Sequence, residues 1–275
     1  MPMKVAIQGI KGSFHHIVAE EYFGKNIDLV ECMSFGEMPN LLQNKKAEVI
    51  VMAIENSIAG AILPNYALID DHKLTICGEH YLPIHHNLMA LEGQKMEDIK
   101  EVYSHPMALL QCHKFFNDYP HIKLIEDKDT AAVAKRIQDN KLMGVAAIAS
   151  SLAAEIYHLQ IIAPEIQTIK DNATRFFILT NAESKKSVSA DKASIKFITS
   201  NDTGSLAEVL SILAKHNLNL SKIQSMPVIE TPWKYAFFAD FVFDSYADYY
   251  HAIKEVTEKT EALNVLGEYI KSKRS

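Results

Sequence analysis

The sequence predicts an α/β region over residues 1–182 followed by a smaller α+β region with a ferredoxin-like layout over 193–275. In the first region short apolar runs alternate with amphipathic stretches, the pattern of strands and helices in a largely parallel sheet. In the second the order changes to strand, helix, strand, strand, helix, strand within a short span. Between them lies a polar, Ser- and Lys-rich stretch without periodicity, NAESKKSVSADK, at 181–192. A chain of 275 residues also exceeds what one core usually holds.

The elements follow in order. Residues 4–8 read as a strand and 13–23 as a helix, then 29–32 and 35–44, then the apolar run 49–54 and a glycine-containing turn. Strands are expected at 74–81, 86–90, 101–103, 123–126, 143–148 and 175–179, with helices at 106–117, 130–139 and 150–157. Downstream the strands are 193–199, 220–226, 235–243 and 265–270, and the helices 205–216 and 247–259. Leu206, Val209, Leu210 and Leu213 recur at i, i+3, i+4 and i+7, one apolar helical face to lay on a sheet.

Composition narrows the function. Acids outnumber bases, 34 to 28, for a net charge of -6, and no long Lys/Arg run occurs, which argues against nucleic acid as a partner. Cys32, Cys77 and Cys112 are an odd number without a CxxC pair, and read as reduced structural thiols. Apolar runs such as 49–54 are far shorter than the roughly 20 residues of a membrane helix. No signal peptide is visible, so the expectation is a cytoplasmic protein with no membrane partner. His15-His16 and His85-His86 invite a metal, but neighbouring residues diverge on a helix or strand, and no His-Glu-x-x-His or Cys/His cluster occurs, so no metal site is expected.

Four turns lie between a strand and a helix: Gly9-Ile10-Lys11-Gly12-Ser13, Glu55-Asn56-Ser57-Ile58-Ala59-Gly60, Tyr103-Ser104-His105-Pro106 and Asp127-Lys128-Asp129-Thr130. In an open α/β sheet such turns border the ligand crevice, and helix N-termini there favour an anion, so a small carboxylate is the expected ligand. Ser13 and Thr130 also read as ordinary helix N-caps. His105 reads either as a polar binding residue or as a helix start before Pro106. Gly9 and Gly12 lack the further glycine of a dinucleotide loop and any Gly-Lys-Ser/Thr, so no nucleotide cofactor is expected. Asn172-Ala173-Thr174-Arg175-Phe176 places an amide, a hydroxyl and a guanidinium at the mouth of an apolar strand. Arg175 there suits bidentate capture of a carboxylate and Thr174 the approach to a reacting oxygen; a capping Thr and a surface Arg are the other reading.

In their order along the chain these segments, with Ser104-His105-Pro106-Met107-Ala108-Leu109-Leu110-Gln111-Cys112, resemble prephenate dehydratase over nearly the whole length. The C-terminal region resembles an ACT regulatory domain through Gly204-Ser205-Leu206, Asn219-Leu220, Ile223, Ser225, Pro227, Trp233, Tyr235, Phe237 and Asp240. The resemblance implies decarboxylating dehydration of prephenate to phenylpyruvate, with no cofactor, in phenylalanine biosynthesis. It implies a catalytic region of two lobes resembling type II periplasmic binding proteins, one of about 1–77 plus 160–182 and the other of 78–159. Thr174 would be the catalytic hydroxyl and Arg175 the carboxylate anchor, while Asn56, Ser57, Ser104, Gln111, Ser13 and Thr130 would bind substrate. Glu55 would either order the Asn56 turn or act as an acid.

Phenylalanine would bind the ACT region at Gly204, Ser205, Leu206, Asn219, Gln224 and Ser225, between subunits of a homodimer or homotetramer. Two departures bear on this. The motif usually reading Glu-Ser-Arg-Pro is Gln224-Ser225-Met226-Pro227 here, without its acid and base, and Ser205 replaces the middle residue of Gly-Ala-Leu. Asp129 stands where the family often has Ser. No chorismate mutase segment is visible ahead of the first strand, so a monofunctional chain is expected. Arogenate dehydratase and a carboxylate-sensing binding protein are the alternatives.

Overall fold

Val5, Ala6 and Ile7 are wholly buried, because the first strand lies inside a sheet with both faces covered. The computed structural model describes residues 2–182, 189–229 and 231–273. Of the expected seam, residues 183–188 lie outside the described residues, as do Glu230 and 274–275. Among the described residues there are two compact units, one formed by 2–60 and 81–176, the other by 61–80 and 177–273.

The chain begins with β1 (Met3–Gln8), α1 (Phe14–Phe23), β2 (Ile27–Cys32), α2 (Met38–Gln43), β3 (Val49–Asn56), β4 (Gly60–Ala61), α3 (Leu63–Asp71) and β5 (Thr75–Pro83). It continues through β6 (Asn87–Ala90), β7 (Glu101–Ser104), α4 (Pro106–Cys112), β8 (Lys123–Glu126), α5 (Thr130–Asn140), β9 (Val145–Ala149), α6 (Ser151–Ile156), β10 (Gln160–Ala163) and β11 (Ala173–Thr180). These strands make two sheets, ordered β2-β1-β3-β11-β5 with β4 beside β3, and β10-β6-β9-β7-β8. β1 is parallel to β2 and β3, and β7 to β8 and β9, whereas β6 runs antiparallel to β9 and β10. The second sheet is apolar on both faces: Leu88, Ala90, Val102 and Ile148 meet α4, while Met89, Ala147 and Ala149 meet α5 and α6. Each fully buried Leu, Ile or Met there contributes about 1.5–3 kcal/mol.

Two expected boundaries move. β5 carries the first sheet on to Pro83, and β10 pairs with β6, so the second sheet takes 160–163. The ladders of the two sheets thus run past the expected breaks at 77 and 160 respectively. The other shift concerns the C-terminal region, since α3 and β5 as far as His80 group with it. Its elements are β12 (Lys192–Ile198), α7 (Ser205–Lys215), β13 (Asn219–Pro227), β14 (Tyr235–Val242), α8 (Tyr246–Glu258) and β15 (Ala262–Tyr269). Its sheet is ordered β13-β14-β12-β15, as the ferredoxin-like expectation requires, and β12, β14 and β13 pair antiparallel. Val209, Ile212 and Leu213 of α7 and Tyr249, Ala252 and Val256 of α8 bury one face of it. Glu79 of β5 and Lys192 of β12 form a buried ion pair at 2.8 Å, and Ile76 lies against Gly267, which explains the grouping.

Candidate functional site

Two backbone amides set the polarity of the site. β3 ends at Asn56 and the chain turns, so that the N–H groups of Ile58 and Ala59 both donate to Asn56 Oδ1, at 3.0 and 2.9 Å. An amide N–H can only donate, so the other end of the Asn56 side chain is necessarily its NH2. That Nδ2 donates to Asn172 Oδ1 at 2.8 Å, to Thr174 Oγ1 at 3.0 Å and, less closely, to the Ala173 carbonyl at 3.3 Å. Since Asn172 presents oxygen to Asn56, it presents nitrogen on its other side, and its Nδ2 donates to Gln111 Oε1 at 2.9 Å. Thr174 Oγ1 is therefore an acceptor from Asn56, and its own proton is available to a second partner.

The backbone holds these groups in place. Ser57 N–H donates to the Ala173 carbonyl at 2.8 Å, and Ala173 N–H returns a bond to Ser57 Oγ at 3.0 Å, which clamps the turn onto the mouth of β11. Ile84 N–H donates to the Asn172 carbonyl at 2.7 Å and Thr168 N–H to the Gln111 carbonyl at 2.9 Å. Asn172 and Thr174 are buried. Asn56, Ser57, Gln111 and Thr174 are thus gathered at one place, although Gln111 comes from α4, on the second sheet.

Arg175 departs from the expected arrangement. Successive strand residues point to opposite faces, so its side chain leaves β11 on the side away from Thr174. It is only 3% exposed, and its guanidinium lies 5.8 Å from the centre of the Tyr81 ring, a cation–π contact. Phe176 returns to the Thr174 face, edge-on to His15 at 5.0 Å.

Ser104, expected to touch substrate, is fully buried and donates its hydroxyl to the Ile148 carbonyl at 2.7 Å, tying β7 to the end of β9. Ser13 caps α1 by accepting from His16 N–H at 3.3 Å. Thr130 is not a cap: Asp129 holds that position and accepts from Ala132 N–H at 2.7 Å, with Thr130 as the first helical residue. Burial pushes the Asp129 carboxyl up from its ordinary range. His105 is the cap of α4, its Nδ1 accepting from Met107 N–H at 3.2 Å. In the C-terminal unit Gly204, Ser205 and Leu206 open α7, while Asn219, Gln224 and Ser225 lie along β13. Among the described residues no group of three or more His, Cys, Asp or Glu is arranged for a metal ion, and no helix is long and apolar enough to cross a membrane.

Two residues outside the expected site belong to it. Asn172 lies within the quoted motif, yet only geometry shows that it bridges Asn56 to Gln111. His86, in sequence half of a poor metal pair, has a buried ring, with Nε2 at 2.9 Å from Gln111 Oε1 and Phe14 edge-on at 5.5 Å. Burial lowers its pKa to about 4, so it is neutral at neutral pH. A residue next to another histidine carries no sequence signal for this position.

Fold and site define a class: a two-lobed α/β protein that holds one hydroxyl at a strand mouth by a side-chain amide from a neighbouring turn. The prephenate dehydratase family model matches residues 5–184. A bifunctional chorismate mutase/prephenate dehydratase of Aquifex aeolicus is 34% identical over 98% of this chain and 74% of its own length. A chloroplastic arogenate dehydratase/prephenate dehydratase of Arabidopsis thaliana is also 34% identical, over 97% of this chain and 72% of its own. The crystal structure of an Arthrobacter aurescens prephenate dehydratase in complex with L-Phe superposes with a TM-score of 0.85, at 24% identity, over 98% of this chain and 90% of that one. The chain belongs to the prephenate dehydratase family and is an enzyme, a lyase.

Proposed function

We propose that the chain converts prephenate to phenylpyruvate, CO2 and water, and that Thr174 assists departure of the ring hydroxyl. The carboxylate leaves as CO2, its bonding electrons become a ring π bond, and the hydroxyl opposite departs with a proton as water. Aromaticity supplies the driving force, so the protein's tasks are orientation and help to the leaving group. The observation that carries the reading is the Asn56 bond to Thr174 Oγ1: the hydroxyl accepts from Asn56 and is left to donate outward. A bond donated into an oxygen also polarises its O–H, which strengthens donation to the leaving group. Asn56, Ser57 and Gln111 line the substrate, and Ser13 and Thr130 contribute helix N-termini rather than side chains to its carboxylates.

Arg175 acts on a substrate carboxylate mainly through its field, since its guanidinium lies against Tyr81. Ser104 acts by holding β7 to β9. Arogenate is the second substrate considered, because a relative bears that name and the two differ only in an amino in place of a keto group. The catalytic region is 1–182, and 193–275 is an ACT domain that binds L-phenylalanine at Gly204, Ser205, Leu206, Asn219, Gln224 and Ser225 in a homodimer or homotetramer. A bound L-Phe in the Arthrobacter structure motivates the effector.

The test is phenylpyruvate formation from prephenate and from arogenate by wild type and Thr174→Ala. Loss of the hydroxyl is expected to lower kcat about 10²- to 10⁴-fold with an unchanged melting temperature. Near wild-type kcat in Thr174→Ala would refute the assignment. Phenylalanine added to the same assay reads the effector, and indifference to it would remove the ACT proposal alone.

A further inference from the structure

Resting on the proposed function, we infer that His86 is a positioning residue that orients the Gln111 amide toward the substrate. The hydrogen-bond polarity fixed by the Ile58 and Ala59 amides runs on past Asn172. Because Asn172 Nδ2 donates to it, the Gln111 atom at that place is its oxygen, and an amide oxygen can only accept. The His86 nitrogen 2.9 Å from the same oxygen must then donate, which makes His86 the neutral Nε2–H tautomer. With Oε1 taken by two donors, Gln111 turns its NH2 the other way. That NH2 has no hydrogen-bond partner among the described residues and Gln111 is half-buried, so it is offered to a ligand.

His86 is itself held on every side that matters. Its N–H donates to Gln167 Oε1 at 2.9 Å, its carbonyl accepts from Ile166 N–H at 2.8 Å, and the Phe14 ring stands edge-on to the imidazole. The remaining ring nitrogen, Nδ1, is buried without a hydrogen-bond partner. A bare buried acceptor carries a cost that an apolar side chain of the same size would avoid. A histidine here is thus explained by its Nε2–H and not by packing. A flipped Gln111 amide would set an oxygen against substrate carboxylates; the His86 bond opposes that flip.

The experiment uses the full chain, with prephenate turnover, melting temperature and nitrogen-15 spectra of the imidazoles. His86→Leu removes the donor at similar volume and is expected to lower kcat about tenfold, the scale of one buried hydrogen bond. His86→Gln, whose amide restores a donor, is expected to recover most of the loss. In a Gln111→Ala background His86→Leu should cost nothing further, because the residue acts through Gln111. The imidazole signals that vanish in His86→Leu should report protonation on Nε2 at neutral pH. Equal losses from His86→Leu in both backgrounds, failure of His86→Gln to recover activity at an unchanged melting temperature, or an Nδ1–H tautomer of His86 itself would overturn the inference. Gln111→Ala with full activity would overturn the role of Gln111 in the functional reading and this inference with it. A damaged Gln111→Ala beside a silent His86→Leu would overturn the inference alone.

Discussion

Asn56 shows how much a single residue decides, since its oxygen is claimed by the Ile58 and Ala59 amides and everything it donates follows from that. Asn56→Asp keeps both accepted bonds and loses the donated ones, to Asn172, Thr174 and the Ala173 carbonyl, while adding a negative charge beside an anionic substrate. The expected result is a fall in kcat/KM of at least about 10²-fold, the scale of one lost transition-state donor, with a small change in melting temperature. Asn56→Asp at wild-type kcat/KM would show that Thr174 needs no donor. Arg175→Lys keeps the charge but loses the planar contact with Tyr81, and a raised KM with little change in kcat is expected. Asn56, Gln111 and Thr174 were legible in the sequence because they sit in turns and strand mouths where side chains meet ligands. Two things were not. Adjacent residues such as Thr174 and Arg175 read as one motif, yet a strand sends them to opposite faces. A buried hydrogen-bond chain such as that from Asn56 to His86 joins segments that no local pattern connects.

Among the elements, the loop from β1 to α1 owes its course to glycine. Gly12 has φ +88°, and a Cβ there would meet Ala153 Cα of α6 at 2.9 Å. Ser150 Oγ, capping α6, donates to the Gly12 carbonyl at 2.6 Å, so loop and helix are packed without space. Gly12→Ala therefore combines backbone strain of about 1–3 kcal/mol with overpacking of about 1–3 kcal/mol. Gly24→Ala, at φ +81° with nothing within 4 Å, carries only the strain. Urea unfolding of the two variants should show the larger loss at Gly12, and equal losses would refute the packing argument. Most strands and helices were legible from period alone, but α3 was not: Asn65 lies in its buried face beside Tyr66 and Ile69, which breaks the apolar stripe. The expected helix at 106–117 also divides, with α4 ending at Cys112 and a 3-10 helix over His113–Asp118. The same residues satisfy i+3 and i+4 bonding, so periodicity does not separate them.

At the scale of the whole molecule, buried charge and its avoidance set the conditions under which the fold survives. In the C-terminal unit Glu79 accepts from Lys192 Nζ and from Ser272 N–H, with the pair's side chains 0% and 4% exposed. Lys192→Met leaves Glu79 buried without its cation and is expected to cost about 3–5 kcal/mol; adding Glu79→Gln should recover most of it in the same urea unfolding measurement. In the other unit the chain instead buries imidazoles as neutral groups. Burial lowers His15 to about 3 and His86 to about 4, whereas both titrate near 6.5 when unfolded. Between pH 6.5 and 4 the unfolded chain thus binds protons that the native chain refuses. Stability falls as pH drops through that window, by up to about 1.4 kcal/mol per pH for each histidine. The His86 share is fully lost below about pH 4 and the His15 share below about 3. Carboxylates titrate in part of the same range, so the decisive quantity is the difference between wild type and His15→Gln, whose amide oxygen can still accept from Ala53 N–H as His15 Nε2 does at 3.3 Å. Unfolding free energies at pH 6.5, 5.5 and 4.5 should give a shallower slope for the variant by about one proton. An unchanged slope would mean that His15 charges in the native state, and that the core beneath Phe176 admits water.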